Sequence, residues 1–287
     1  MTSATKEKIT ITGVQATLMM CVACRLRDNN NPVPLLEDPV ALSTAGQIDY
    51  DWDALHISDI NAARMVLRSR QMDRYTGDFI AANPRCTVLH LACGLDARAQ
   101  RLALGPGVRW IDSDLPDVVE LRRRLVPEPE GMIDYQLLST DILEAGWLDS
   151  TPTDRPLAVV FEGLTMYLAE DTMRDFVSGI LEHFRKHQLG GQLIFDALGS
   201  RVVDRQDSIG WGKTLSMSGA RFTWAMNGGD QLEKWFPGRV KLKKEAGSGD
   251  FDFPTGTYVP MFSRFLLRLM QMLNDMTYMV VYDVVSE

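Results

Sequence analysis

The chain has 287 residues, of which 45% are hydrophobic and 24% are charged, close to the composition of an average globular protein. Its formal net charge of −8 argues against a nucleic-acid substrate, because an acidic surface repels the phosphate backbone. Four cysteines are too few for a disulfide scaffold. The Cys21-x-x-Cys24 pair has neither a second pair nor a histidine cluster to complete a zinc site, so we expect no metal.

The first predicted element is a helix over residues 13–27. It lies in a fairly apolar stretch, residues 9–24, that is too short and too polar to span a bilayer. We therefore expect the helix to pack on the protein or to cover its active site. No other stretch approaches transmembrane length, so the sequence predicts a cytoplasmic protein without membrane contact. The oligomeric state is left open between a monomer and a homodimer.

Prolines then mark a loop-rich segment that ends near Gly46. Apolar residues at helical spacing predict a long helix over 58–82, with Ser58 or Asp59 as its cap. Residues 1–82 are thus predicted to form a helical N-terminal region that caps the remainder of the chain.

From residue 83 the pattern changes to short apolar runs that alternate with helical segments. Five runs are typical of buried strands: 87–92, 108–112, 135–140, 157–162 and 192–197. Helices are predicted after the first strand through Leu104, over 115–125 and over 171–187, followed by a strand at 240–245, a helix at 262–276 and a strand at 278–285. This order predicts a doubly wound α/β domain over 83–287, with an irregular, substrate-covering insertion at about 199–256.

Every predicted core strand ends in a glycine or an acidic residue: Gly94, Asp112 or Asp114, Asp141, Glu162 and Asp196. Ligands of doubly wound sheets bind at this edge. Clustered carboxylates would repel a triphosphate, and the chain has no P-loop motif. A nicotinamide dinucleotide is also disfavoured, because the turn after the first strand lacks two of the three glycines of the dinucleotide motif.

S-adenosylmethionine (SAM) has no phosphate, and its ribose, adenine and cationic sulfonium suit carboxylates. Asp114 would accept hydrogen bonds from both ribose hydroxyls. Asp141 would accept one from the adenine amino group, beside the Ile142 backbone, and Glu162 would lie near the methionine ammonium or the sulfonium.

The methionine carboxylate of SAM needs a cation, for which Arg70 and Arg98 are the candidates. Arg70 lies in the helix before the first strand, and Arg98 lies just after the glycine turn. His90, within the first strand, is interpreted as a hydrogen-bonded core histidine rather than a catalytic group.

Three ordered motifs resemble those of the leucine carboxyl methyltransferase family. They are a glycine motif over 90–102, an Asp-Leu-Pro motif within 110–119, and Phe161-Glu-Gly-Leu-Thr-Met-Tyr-Leu168, which is similar to the family's Glu-Gly-x-x-x-Tyr-Leu motif. The resemblance covers roughly residues 36–198. It implies a Rossmann-like class I methyltransferase fold with a mostly parallel, seven-stranded sheet, a helical N-terminal extension and a late insertion.

Carried over by position, the family's cofactor residues match those chosen above: Arg70, Gly94, Asp114, Asp141, Ile142 and Glu162. The chain departs from the family at Ala92, where a glycine is usual. An alanine costs little there if its φ angle is negative, so we expect cofactor binding to survive the change.

The resemblance is greatest to small-molecule members that methylate polyketide-type natural products, which implies O-methylation of a carboxylate or hydroxyl on an aromatic molecule. A carboxylate is already ionised at neutral pH, whereas a phenol would need a base, for which His56 is the candidate. Tyr167, the second candidate catalytic residue, and Arg201 would orient the substrate. Trp211 and Trp224 would contact its aromatic part.

Three other functions stay open. The fold could bind SAM and use its sulfonium as an electrostatic catalyst of a cyclisation, it could serve as a binding module without catalysis, or it could be a nicotinamide-dependent oxidoreductase. Product mass distinguishes a methyltransferase from the cyclisation catalyst, because only a methyltransferase adds a methyl group and releases S-adenosylhomocysteine (SAH).

Overall fold

A computed structural model of the chain describes residues 6–9, 17–131, 134–208, 219–273 and 277–285. Its strands are β1 Cys86–Leu91, β2 Val108–Asp114, β3 Tyr135–Ser139, β4 Leu157–Phe161, β5 Gly191–Leu198, β6 Val240–Ala246 and β7 Thr277–Val284. In the described part of the chain these strands form one sheet with the order β3-β2-β1-β4-β5-β7-β6. Strands β1 to β5 pair in parallel, and β7 is antiparallel to β5 and β6. The predicted mostly parallel α/β sheet is confirmed.

Helices cover both faces of this sheet. They are α1 Thr17–Asn29, α2 Pro39–Gln47, α3 Asp59–Ala82, α4 Arg98–Arg101, α5 Pro116–Leu125, α6 Glu170–Lys186, α7 Ser200–Asp204, α8 Gln231–Trp235 and α9 Met261–Leu273. Val159 and Phe161 of β4 pack in a cluster with α6, whereas Ala158 and Val160 pack in a cluster with α3. Burial on both faces explains why β4 is a continuous apolar run in the sequence.

The N-terminal helices differ in part from the prediction. The expected helix over 58–82 is present as α3, and Ser58 caps it by accepting a hydrogen bond from the Asn61 N–H. The prediction of loops up to Gly46 is wrong, because α2 occupies much of that segment. Asp38 caps α2 by accepting from the Ala41 N–H at 3.0 Å, and Pro39 stands at its first position, where the missing N–H costs nothing.

One later helix also differs from the prediction in extent. The helix predicted through Leu104 ends at Arg101. The last helix, α9, presents Met261, Phe262 and Phe265 to the surface, each more than half exposed. Among the described helices, none is both long and apolar enough to cross a membrane.

Candidate functional site

The turn after β1 is held against the end of β2. Gly94 has a φ angle of +50°, a left-handed conformation that glycine adopts without strain. Its N–H donates to Asp114 Oδ2 at 2.7 Å, and the Leu115 N–H donates to Asp114 Oδ1 at 2.8 Å. Burial raises the pKa of Asp114, although these two N–H groups act in the opposite direction. The Asp114 carboxylate therefore lies beside Gly94, the residue of the turn that has no Cβ atom.

Ala92, two residues before Gly94, has a φ angle of +49°. The expectation of a negative φ at this position is wrong. A left-handed residue with a Cβ is strained by roughly 1–2 kcal/mol. A glycine at this position, which the resemblance implied, would relieve this strain.

Glu162, directly after β4, is buried and receives hydrogen bonds from three side chains. Arg68 Nε donates at 2.9 Å, Ser69 Oγ donates at 2.7 Å, and Arg98 donates to the second carboxylate oxygen. Burial alone would raise the pKa of Glu162, but the charges of Arg68 and Arg98 outweigh it and lower the pKa to about 2. The carboxylate is therefore ionised at any physiological pH.

Arg68 also reaches the neighbouring strand. Its Nη1 donates to Asp196 Oδ2 at 3.0 Å, and the N–H of Gly163 donates to the other oxygen of Asp196 at 2.6 Å. Burial, together with the charge of Glu162, raises the pKa of Asp196 although Arg68 opposes the shift. A single arginine of α3 thus links the ends of β4 and β5.

A second group of buried charges joins α1, α3 and α4. Arg98 and Arg101 of α4 both bind Asp73 of α3, and Arg101 also binds Asp96, at 2.7 Å. Arg25 of α1 binds Asp96 at 3.0 Å. The N-terminal helices are therefore attached to the glycine turn by charge pairs in a dry environment, where each partner depends on the other.

His90 lies beneath these charges, within β1, and is almost fully buried. Its Nδ1 lies 2.9 Å from Asp112 Oδ1, and its Nε2 lies 3.1 Å from Arg98 Nη1. Because arginine can only donate, Nε2 accepts and Nδ1–H donates to Asp112. Arg122 also binds Asp112, at 2.6 Å. The interpretation of His90 as a hydrogen-bonded core histidine is confirmed.

Helix α1 lies across the glycine turn. A Cβ atom placed on Gly94 would be 2.5 Å from Leu18 Cδ2, so the first turn of α1 packs directly on that residue. Thr17 forms a side-chain hydrogen bond with Tyr167, whose ring lies 5.5 Å from that of Phe222. The helix therefore covers the edge of the sheet, as one of the two placements expected from the sequence.

Arg70 does not lie at the strand ends. Its guanidinium donates to the backbone carbonyls of Leu35, at 3.2 Å, and Asp252. Arg68 occupies the position that the sequence assigned to Arg70. A signal for this was available: Arg68 shares its helix face with Met72, which is buried, whereas Arg70 shares its face with Arg74, which is exposed.

The other predicted cofactor residues lie near the same edge. Asp141 follows β3, and its side chain accepts from the Leu143 N–H at 2.9 Å. Ile142 packs against the apolar cluster beneath α6. Ser69 and Arg25, which the sequence argument did not select, contribute to the charge network described above.

The predicted substrate residues are dispersed. His56 lines a surface cavity of about 550 Å³ together with Trp52 and Arg27, and Arg201 is exposed on α7. Trp224 is buried against Trp235 in the core, with ring centroids 5.7 Å apart. Trp211 lies outside the described residues.

The acceptors at the strand ends fit SAM. Asp114 offers a carboxylate beside a turn without a Cβ, which suits a ribose, and the ionised Glu162 suits a cationic group. Arg68 provides a positive charge that suits the methionine carboxylate of SAM. Among the residues that the structure describes, no group of three histidine, cysteine or acidic side chains could hold a metal ion.

Comparisons with known proteins agree with this geometry. The family model of leucine carboxyl methyltransferase matches residues 18–181. The chain is 36% identical to the tetracenomycin polyketide synthesis O-methyltransferase TcmP of Streptomyces glaucescens, over 81% of this chain and 82% of TcmP. It is also 36% identical to the SAM-dependent methyltransferase dpfgK of Gibberella zeae, over 81% of this chain and 82% of that protein.

A solved structure has a similar fold. The SAM-dependent methyltransferase from Anabaena variabilis superposes with a TM-score of 0.50 and 14% sequence identity, covering 99% of each chain. At this level of identity, the likeness concerns the arrangement of helices and strands.

Proposed function

The chain belongs to the leucine carboxyl methyltransferase family and is a SAM-dependent methyltransferase, and on that premise we propose that it methylates an oxygen atom of a small aromatic molecule. The acceptor oxygen belongs to a carboxylate or a hydroxyl. The identity to TcmP, a polyketide O-methyltransferase, supports this choice. The cofactor site on which the proposal rests is carried by the pair of carboxylates, Asp114 and Glu162, beside the turn at Gly94.

We assign the cofactor contacts as follows. Asp114 accepts from the ribose hydroxyls, Asp141 and the Ile142 backbone bind the adenine, and Glu162 binds the methionine ammonium. Arg68, rather than Arg70, binds the methionine carboxylate, because Arg68 lies at the ends of β4 and β5 next to Glu162, the residue assigned to the ammonium of the same amino acid.

When bound, SAM supplies a methyl group on a cationic sulfur. The protein's part is to align the acceptor oxygen behind that methyl group and to exclude water. Burial raises the pKa of Tyr167, so its hydroxyl stays protonated and serves as a hydrogen-bond donor to the acceptor, not as a base. His56 lines the surface cavity instead of the strand ends, which favours an acceptor that is already ionised.

Calorimetric titration with SAM and SAH tests the cofactor site. The wild type should bind both ligands, and Asp114→Ala should largely abolish binding. Asp117→Ala removes the same charge from an exposed position three residues away and is the matched control. Absence of binding by the folded wild type would sink the proposal.

The acceptor atom can then be identified from the product. Aromatic acids and phenols incubated with the enzyme and SAM should gain the mass of one methylene group. Alkaline hydrolysis reverses a methyl ester but leaves a methyl ether intact. A methyl group found on nitrogen, carbon or sulfur would overturn O-methylation while leaving the cofactor assignment in place.

A further inference from the structure

Within the described residues, Arg64 is a cation without a counterion, near the edge of the sheet where ligands bind. It lies in α3, one helical turn before Arg68. Because α3 ends just before β1 begins, its first turns lie near the carboxyl ends of the strands. One turn of four residues rises about 6 Å, so Arg64 stands roughly that much further out than Arg68, beyond the ends of β4 and β5.

The contacts of Arg64 differ from those of its neighbours. Arg68, Arg98 and Arg101 each bind at least two carboxylates. Arg64 forms no ion pair with any residue in the described part of the chain, and its Nε–H is buried without a hydrogen-bond acceptor there. An unpaired buried donor on a charged group is costly, and such a group in a folded protein calls for an explanation.

The charge of Arg64 is unfavourable where it stands. Burial, together with the nearby charge of Arg68, lowers the pKa of Arg64. An arginine does not escape this cost by losing its proton, because its pKa is too high. An anion bound against the guanidinium would both satisfy the buried Nε–H and offset the repulsion from Arg68.

We propose that Arg64 binds a negatively charged group of the methyl acceptor and so selects acidic acceptors. This inference rests on the function proposed above. The cofactor's own carboxylate has a closer cation in Arg68, which contacts Glu162 directly. Arg64 lies further from the sheet, on the side from which an acceptor must approach a cofactor held along the strand ends.

The test compares aromatic acids with their neutral carboxamides on SAH-saturated protein. The probes are 2-naphthoate and anthracene-2-carboxylate, each with its amide, measured by calorimetry. Charge-assisted hydrogen bonds predict that the wild type binds each acid about tenfold or more tighter than the amide. Arg64→Met should remove this preference, and Arg64→Lys should keep part of it.

Two controls isolate the role of Arg64. Arg74→Met removes an exposed arginine from the same helix and should leave the acid preference unchanged. The affinity for SAH should be the same in all variants, which thermal unfolding would show to be folded. In nitrogen-15 spectra, the Nε–H resonance that is lost in Arg64→Lys should shift when the acid, and not the amide, is added to the wild type.

The inference is overturned if the wild type shows no preference for the acids, or if Arg64→Met retains that preference. It is also overturned if Arg64→Met weakens SAH binding, since Arg64 would then serve the cofactor. Failure of the wild type to bind SAH counts against the proposed function instead, so the two failures are distinguishable.

Discussion

Arg68 and Arg70 lie two residues apart on α3, yet their guanidinium groups face different surroundings. Arg68 binds two buried carboxylates at the strand ends, whereas Arg70 binds backbone carbonyls of the N-terminal region and of the segment before α9. Substitution of Arg68 should therefore weaken cofactor binding, whereas substitution of Arg70 should not.

Arg68→Lys should weaken SAM binding by about tenfold, because lysine keeps the charge but loses the planar fork that binds a carboxylate through two hydrogen bonds. Arg70→Lys is the matched control and should bind SAM like the wild type. Calorimetry with 5′-methylthioadenosine, which lacks the amino acid part of SAM, completes the test. If Arg68→Lys weakens both ligands equally, Arg68 does not bind the methionine carboxylate.

Ala92 offers a test of backbone strain. Ala92→Gly should stabilise the protein by up to about 1 kcal/mol, because relief of the left-handed strain exceeds the entropy that glycine loses on folding. Ala103→Gly, at an exposed position with negative φ, should be neutral or destabilising. Thermal unfolding of the two variants provides the measurement, and equal effects would contradict the strain argument.

At the scale of elements, the first turn of α1 limits access to the glycine turn. Leu18 packs against Gly94, and Thr17 and Arg25 attach the helix to Tyr167 and Asp96. A cofactor that lies along Gly94 and Asp114 must displace the Leu18 side chain. The rate at which SAM binds therefore depends on how firmly this turn of α1 is held.

Leu18→Ala should accelerate association of SAH by about fivefold and leave dissociation nearly unchanged, because the contact that SAH must displace is weakened by about 1 kcal/mol when part of a half-buried leucine is removed. Leu26→Ala, on the same helix but beside the surface cavity, should leave both rates unchanged. Stopped-flow tryptophan fluorescence would report the rates. Identical kinetics in the two variants would show that α1 does not limit cofactor exchange.

The elements differ in how well the sequence predicts them. Strands β1, β4 and β5 are evident because burial on both faces makes them nearly continuous apolar runs, whereas β3 is only partly buried and gives a weaker pattern. Helix α2 was missed because the prolines around it suggested loops, although Asp38 and Pro39 form a standard helix start. Helix α4 is shorter than predicted, since Leu102 is extended with ψ at 142°.

The site was predictable where a residue follows a strand and less so where it projects from a helix. The positions of Gly94, Asp114 and Glu162 follow from strand ends alone. Whether Arg68 or Arg70 reaches the strand ends depends on which face α3 turns toward the sheet, and this orientation is hard to read from the sequence. The pairing of Arg25 with Asp96 joins residues far apart in sequence, which no local pattern records.

At the scale of the whole molecule, buried carboxylates paired with arginines make stability depend on pH. Burial opposes ionisation of Glu162 and Asp112, but neighbouring arginines prevail and lower each pKa to about 2, from 4.5 and 3.8 respectively. A lowered folded-state pKa contributes stability above the unfolded-state value, and that stability is lost as pH falls towards the folded-state value.

The melting temperature should therefore be constant down to about pH 5 and fall steeply between about pH 4.5 and pH 2. Each such carboxylate accounts for about 2–3 kcal/mol, or roughly 5–10 °C in a chain of this size. Asp114 and Asp196, whose pKa values are raised, act in the opposite direction and make the decrease in melting temperature smaller. Calorimetric scans across this range provide the check, and a melting temperature unchanged at pH 3 would contradict it.

The antiparallel strand β7 has a consequence for the order of events during synthesis. It pairs with β5 on one side and β6 on the other, so β6 has no place in the sheet until β7 has been made. During synthesis, β1 to β5 can therefore pair with one another as soon as they leave the ribosome. Strand β6 stays unpaired until β7 has been made, and its open edge can pair with another nascent chain. Synthesis of β7 ends the period in which β6 is unpaired, so the nascent chain should depend on chaperones most just before β7 is made.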